Sequence, residues 1–144
     1  MSRLRTLSLA IKERLEEIPE FAGKVVVFRR YDIESEFERR MAKARGSCVV
    51  VRLIRGTNTS RKKLKARFAG LFTVSIFTAP LLTRRDAKSA DELIEEVAEK
   101  LHGWWPEDVP SNGAIWCECG TITYPEDVDY DVTTITVDAR GSSN

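Results

Sequence analysis

The stretch "SCVVVRLIRGTNTSRKKLKARFAGLFTVSIFTA", residues 47–79, holds the two strongest apolar runs of the chain with a basic segment between them. "CVVVRLI" (48–54) and "GLFTVSIFTA" (70–79) are rich in β-branched and aromatic residues and read as strands. Pro80, which cannot donate to a ladder, closes the second. Between them "RGTNTSRKKLKAR" (55–67) carries six basic residues, Arg55, Arg61, Lys62, Lys63, Lys65 and Arg67, and no acid. "GTNTS" is too polar to hold a core, so the spacing predicts an antiparallel pair joined by a long hairpin arm.

Working outward, Leu4, Leu7, Ile11, Leu15 and Ile18 recur at three and four residues and predict an amphipathic helix over about residues 3–18. Pro19 and Gly23 end it, and "KVVVF" (24–28) follows as a short strand. Ile33, Phe37, Met41 and Ala44 predict a second helix over 33–45, with Asp32 placed to cap it and Gly46 to stop it. Ser89 followed three residues later by Glu92 reads as a capping box. The helix it opens puts Ala90, Leu93, Ile94, Val97, Ala98 and Leu101 on one stripe, and Gly103 ends it. After the loop "WWPEDVPSNG", "AIWCECGTITY" (114–124) and "YDVTTITVDA" (130–139) are two strands around the turn "PEDVD", which predicts a second hairpin.

The predicted order is therefore α-β-α-β-β-α-β-β. Short connections favour antiparallel pairing, and amphipathic helices must cover a sheet face. This is an α+β fold, a mostly antiparallel sheet with helices packed on one face. At 144 residues the chain fits a single domain over 1–140, with 141–144 a flexible C-terminal tail. No internal repeat or low-complexity linker breaks it.

Net charge is only +1, so the chain as a whole offers no field for nucleic acid, and the distribution of charge is more informative. From Gly103 to Ala139 there are eight acids (Glu107, Asp108, Glu118, Glu126, Asp127, Asp129, Asp131 and Asp138) and no Lys or Arg. No apolar run approaches the roughly 20 residues that span a bilayer, and no signal peptide or membrane partner is expected. Cys48, Cys117 and Cys119 are odd in number and sit in apolar segments, which reads as reduced thiols.

Little in the chain points to chemistry. "CEC" (117–119) puts two thiols on one strand face about 7 Å apart, but a zinc site would need two more ligands, and only the isolated Cys48 and His102 are left. Small apolar residues packed under a helix explain the pair better. His102, the sole histidine, stands where a cation complements a helix C-terminus, without the partner that a Cys–His nucleophile needs. A P-loop, a dinucleotide-binding glycine pattern, GxSxG and HExxH are all missing. The "PEDVDYD" acids are of a kind that hold a hard cation only weakly and read as solvated turn residues. No enzymatic activity, metal or cofactor is expected, and a pocket built from Trp104, Trp105 and the cysteines is the weakest reading. Trp104 and Trp105 suit a lid on the core for one of the pair and a subunit contact for the other.

The basic arm has three readings: a solvated tip, a nucleic-acid contact, or a protein contact. It lacks the aromatic residues that single-strand binding interleaves with cations, and no helix-turn-helix or zinc finger supports base readout. Its obvious complement is the acidic last third of a neighbouring copy. A head-to-tail contact of that kind closes into a ring when the rotation fits.

The helix "LSLAIKERLEEIP" leading into a strand, the hairpin of 48–54 and 70–79 with its long polar arm, the helix "SADELIEEVAEKLHGWWP" and a last strand pair ending in "YDVTTITVDA" form a layout. It resembles the tail-terminator and tail-completion proteins of long-tailed bacteriophages, and the small proteins encoded beside tail genes in prophages. The resemblance covers most of the chain and rests on element order and length, because that family has no catalytic signature. It implies an α+β subunit of a homo-oligomeric ring, usually a hexamer. Such a ring caps the tail tube, stops its polymerisation and offers a surface to the head–tail connector. The place of action would be the virion tail, assembled in the host cytoplasm, with DNA in the ring lumen a possible secondary partner. Under this reading Arg61, Lys62, Lys63, Lys65 and Arg67 on the arm meet Glu126, Asp127, Asp129 and Asp131 of an adjacent subunit or of the tube. The alternative is a nucleic-acid-binding accessory protein using the same arm, 55–67.

Overall fold

A computed structural model describes residues 3–27, 47–58, 68–78, 89–107, 109, 116–125 and 131–139. Helix α1 (Arg3–Glu16) buries Leu7, Ile11 and Leu15 completely, and the chain then tightens, with the Ile18 N–H donating to Leu15 O at 3.0 Å. That turn still buries Ile18, so the apolar stripe outlasts the helix. A 3-10 turn (Pro19–Phe21) buries Phe21, and Gly23, at φ +72°, reverses the chain in a backbone region that residues with a Cβ rarely adopt. Strands β1 (Val25–Val27), β2 (Ser47–Asn58) and β3 (Phe68–Thr78) follow, then helix α2 (Ala90–Leu101) and strands β4 (Cys117–Thr123) and β5 (Asp131–Ala139). The predicted helix over 33–45 lies outside the described residues.

The strands form one five-stranded sheet in the order β1-β2-β3-β5-β4. Both hairpins read from the sequence are present: β2 pairs antiparallel with β3, and β4 with β5. β3 and β5 also pair antiparallel, across the excursion through α2 and β4. The one departure from antiparallel pairing is β1 with β2, where Val25, Val26 and Val27 face Val49, Val50 and Val51 in parallel. Parallel neighbours need a connection of a dozen residues or more, and residues 28–46 supply that length.

The central strand is β3. Phe72, Val74 and Ile76 alternate onto one face and are buried, and so are Val49 and Val51 on β2 and Ile135 and Val137 on β5. Both described helices pack onto this face: α1 over β1, β2 and β3, and α2, through Leu93, Ile94, Val97 and Leu101, over β3, β4 and β5. The opposite face carries the alternating partners. Ser75 and Thr134 share a hydroxyl hydrogen bond there (2.8 Å), and Cys48 and Val50 form a small second cluster with Val26 and Phe77. Among the described residues no helix is long and apolar enough to cross a membrane.

The first hairpin is longer than predicted. The β2–β3 ladder continues through Arg55↔Leu71, Gly56↔Gly70 and Thr57↔Ala69 to Asn58↔Phe68, with a bulge between Leu53 and Arg55. Four residues assigned to the polar arm are thus strand, because ladder pairing uses main-chain groups that every residue except proline carries.

Gly70 has a separate role on the core face. A Cβ there would stand 2.6 Å from Phe72 Cε2 and 3.1 Å from Leu4 Cδ2, so the Phe72 ring lies directly against the Gly70 backbone beneath α1. Because that ring is fully buried it cannot swing out of the way. Gly70→Ala is expected to lower stability by about 1–3 kcal/mol through overpacking. Chemical denaturation at equilibrium measures it, with an unchanged slope and an earlier midpoint as the expected result.

Candidate functional site

Two places combine side chains that sequence reasoning singled out, the turn after α2 and the tryptophan pair, and a third, the exposed apolar residues of β2 and around the end of β4, is added by the structure. The first begins at the α2 N-terminus, where the Ser89 hydroxyl accepts the Glu92 N–H (3.2 Å) and donates to the Glu92 carboxylate (3.3 Å). Ser89 is therefore the N-cap, and the Glu92 carboxylate reaches back to its hydroxyl, whereas in the predicted capping box it takes the Ser89 N–H. At the other end the His102 N–H still reaches Ala98 O (2.8 Å), and Gly103 turns the chain at φ +77°.

That turn lies along the outer edge of β4. The Gly103 N–H donates to Cys117 O (2.8 Å), the Cys117 N–H to Trp104 O (2.8 Å), and the Cys119 N–H to His102 Nδ1 (3.1 Å). His102 was expected as a cation at the helix end. Its Nδ1 instead serves as an acceptor, which uses the unprotonated nitrogen. The first three residues of β4 are thereby bonded on the side away from β5.

The two thiols of "CEC" share the core face, as their spacing implies, with Cys117 buried and Cys119 half-buried. Cys119 Sγ points at Ala98 O at 3.9 Å, a weak contact with α2. Desolvation by burial, then the neighbouring Cys119 and Asp138, push the Cys117 thiol from 9.0 up to about 12. Burial alone takes Cys119 to about 11. Neither is a thiolate at neutral pH, so neither is poised as a nucleophile. Cys48 is buried on the other sheet face. Among the described residues no group of three His, Cys, Asp or Glu side chains is placed to hold a metal ion.

Both tryptophans pack partly buried against the main core. Trp105 Nε1 donates to Val109 O (3.0 Å), which folds the loop back so that Val109 and Pro106 are buried. The Arg14 guanidinium lies 5.5 Å from the centroid of the Trp104 ring, and its Nε donates to Lys100 O (3.0 Å) at the end of α2. Glu17 joins the two helix ends, accepting from Arg14 (3.1 Å) and Lys100 (3.4 Å). Arg14 thus satisfies a terminal α2 carbonyl, stacks on an aromatic ring and pairs with a carboxylate. Nothing in the sequence pattern marks it, because its partners are brought together only by the packing of α1 on α2.

Of the residues predicted for an interface, Arg61, Lys62, Lys63, Lys65, Arg67, Glu126, Asp127 and Asp129 lie outside the described residues. Asp131 is the first residue of β5, opposite Thr78. The strands that carry the two segments are described: residues 59–67 join the last rung of β2–β3, and 126–130 join β4 to β5. Sequence reasoning missed the apolar residues left exposed. Among the described residues Leu53, Ile54, Ile122 and Tyr124 are the large hydrophobic side chains that stand exposed, two on β2, one on β4 and one just after it. Tyr124 Oη donates to Asp91 Oδ1 (3.0 Å), and that hydrogen bond, then the charge of Asp91, raises the phenol above its ordinary value. Comparison of the chain with models of known protein families and with curated proteins returns no match.

The thiols supply a direct test of this packing. A folded state that holds its Cys117 proton to about 12, against 9.0 for an ordinary thiol, keeps this contribution to stability below pH 9. It loses that contribution as pH rises through the folded value. At pH 7–8 the native protein is expected to react slowly with an aromatic disulfide reagent, Cys119 first, and to release three equivalents once denatured. A fast single-equivalent burst from the native protein contradicts the packing described.

Proposed function

We propose that this chain is a non-enzymatic structural subunit of a bacteriophage or prophage tail, a ring-forming tail terminator that caps the tail tube and presents a surface to the head–tail connector. The observation that carries the reading is the long β2–β3 ladder. It runs two rungs past the last β5 partner, Gly70↔Ala139, and its last rung, Asn58↔Phe68, joins the two residues that flank the basic stretch 59–67 in the sequence. The acid-only segment from Gly103 to Ala139 supplies the opposite charge within the same chain. A mostly antiparallel five-stranded sheet with two described helices on it agrees with the α+β subunit that the resemblance implies, while the helix predicted over 33–45 is the element of the order α-β-α-β-β-α-β-β that least matches that family's layout.

In this reading Lys62, Lys63 and their neighbours meet the 126–131 acids of an adjacent copy. Rim charge pairs contribute little affinity one by one, but they steer encounter and set register. The double variant Lys62→Glu, Lys63→Glu is expected to lose ring formation while its far-ultraviolet circular dichroism stays that of the parent. Light scattering after size exclusion measures this, and an unchanged assembly profile removes the arm from the interface. A second reading, a nucleic-acid accessory protein, draws on the exposed Arg55 at the base of the same stretch. It expects fluorescence-anisotropy binding to DNA that falls steeply with salt. Absence of binding at low salt disposes of it.

A further inference from the structure

The residues that flank the basic stretch stand at one end of the sheet, and a mixed apolar and acidic surface stands at the other. The last β2–β3 rung, Asn58↔Phe68, brackets 59–67, and Ala139 reaches that end as the partner of both Gly70 and Cys117. Thr123 lies toward the opposite end, level with Thr134 of β5 and Ser75 of β3. Asp131, opposite Thr78, is at that end too. There α2 and β4 form a strip. Ile122 pairs with the buried Ile135 and so faces the helix side of the sheet. Tyr124, two residues on, sends its hydroxyl to Asp91 Oδ1 (3.0 Å) in the first turn of α2. That hydrogen bond, then the charge of Asp91, desolvation and the charge of Glu95 raise the phenol, so both carboxylates, one helical turn apart, act on it. All four residues are exposed. The acids do not serve the helix itself: Asp91–Glu95, Glu92–Glu96 and Glu95–Glu99 are like charges at i,i+4, which destabilise a helix, and the first base on α2 is Lys100.

We propose that this strip, Asp91, Glu95, Ile122 and Tyr124, is the docking surface for the basic stretch 59–67 of a second copy, with Lys62, Lys63 and Lys65 against the carboxylates and Leu64 against Ile122 and the Tyr124 ring. The inference rests on the arm-mediated assembly of the proposed function and names the surface that the arm meets. The two surfaces match in kind, since "RKKLKAR" (61–67) sets one leucine among five cations with no acid. Length excludes the chain's own arm. Ser75 is seven residues from Phe68 along β3, roughly 24 Å at strand rise, and β4 lies two strand spacings, roughly 10 Å, to the side. Nine residues anchored at both Asn58 and Phe68 reach roughly 18 Å at most, half of their extended length. The occupant therefore comes from another molecule. Glu126 follows Tyr124 by two residues, so the strip adjoins the acids that the proposed function pairs with the arm. Because each copy offers the stretch at one end and the strip at the other, the contact joins unlike surfaces and repeats, closing into a ring or growing as a filament.

Charge reversal tests it on the full chain. Glu95→Lys takes away one carboxylate of the strip and turns two like-charged i,i+4 pairs of α2 into opposite-charged ones, so the helix is not weakened. Light scattering after size exclusion is expected to show the parent as an oligomer and Glu95→Lys with self-association weakened about tenfold or more. Tyr124→Ser, at an exposed position, is expected to weaken it in the same direction with no change of net charge. Lys62→Glu, Lys63→Glu is expected to fail alone as well. A one-to-one mixture of Glu95→Lys with Lys62→Glu, Lys63→Glu is expected to give a dimer or larger, because the first keeps the parental arm and the second the parental strip. A misfolded variant does not give that complementation. Assembly of Glu95→Lys and Tyr124→Ser like the parent, with loss only in Lys62→Glu, Lys63→Glu, overturns this inference and leaves the arm of the proposed function on other acids. Loss with Glu95→Lys that the mixture does not restore overturns it too, since the strip then meets something other than the arm. A parent chain that is monomeric at every concentration overturns both.

Discussion

Burial of one face of β3 beneath two helices is the constraint on which the rest of the structure depends. Phe72, Val74 and Ile76 are almost wholly buried, and the strands on either side extend the same surface through Val49, Val51, Ile135 and Val137. Side chains of this size contribute about 1.5–3 kcal/mol each when fully buried, against about 0–1 kcal/mol for an exposed ion pair. The apolar face therefore holds α1 and α2 to the sheet. The polar cluster of Arg14, Glu17, Lys100 and Trp104 sets how the two helix ends meet. Gly70 is the local condition for that burial, since any side chain in its place meets the Phe72 ring.

Seating α2 on β3, β4 and β5 has a consequence at the far edge of the sheet. The helix ends where Gly103 can turn its chain back along β4, and three hydrogen bonds, one donated by Gly103 and two accepted by Trp104 O and His102 Nδ1, hold the first part of that strand to the turn. The same seating buries Cys117 and half-buries Cys119, which makes their thiols inert at neutral pH. On the other side the described residues of β1, Val25–Val27, pair in parallel with Val49–Val51 of the twelve-residue β2.

Much of the fold was legible in the residues. The α1 stripe of Leu7, Ile11, Leu15 and Ile18, the Ser89 cap and the α2 stripe of Leu93, Ile94, Val97 and Leu101 all stand where helical spacing puts them. Both hairpins follow from apolar strands flanking polar turns. Strand ends were less legible. Arg55–Asn58 reads as loop by composition, yet it pairs through its main chain with 68–71. The candidate sites divide similarly. The tryptophans and the "CEC" thiols announced themselves by residue type. Arg14, Leu53, Ile54 and Ile122 did not, because an arginine in a helix and an isoleucine in a strand look alike whether covered or open.

By itself the sequence determined which residues have an apolar face to hide, at periods of two and of three to four, and hence a mostly antiparallel sheet with helices laid on it. It also determined the separation of charge, with cations gathered in 55–67 and only acids from Gly103 to Ala139. Only the tertiary structure decided that β1 joins β2 in parallel and that β5 lies between β3 and β4. The reason is physical. Periodicity reports the surface each element must bury, a local property of its side chains, whereas strand order depends on which main-chain groups meet across long separations in the chain, and those groups are nearly the same in every residue.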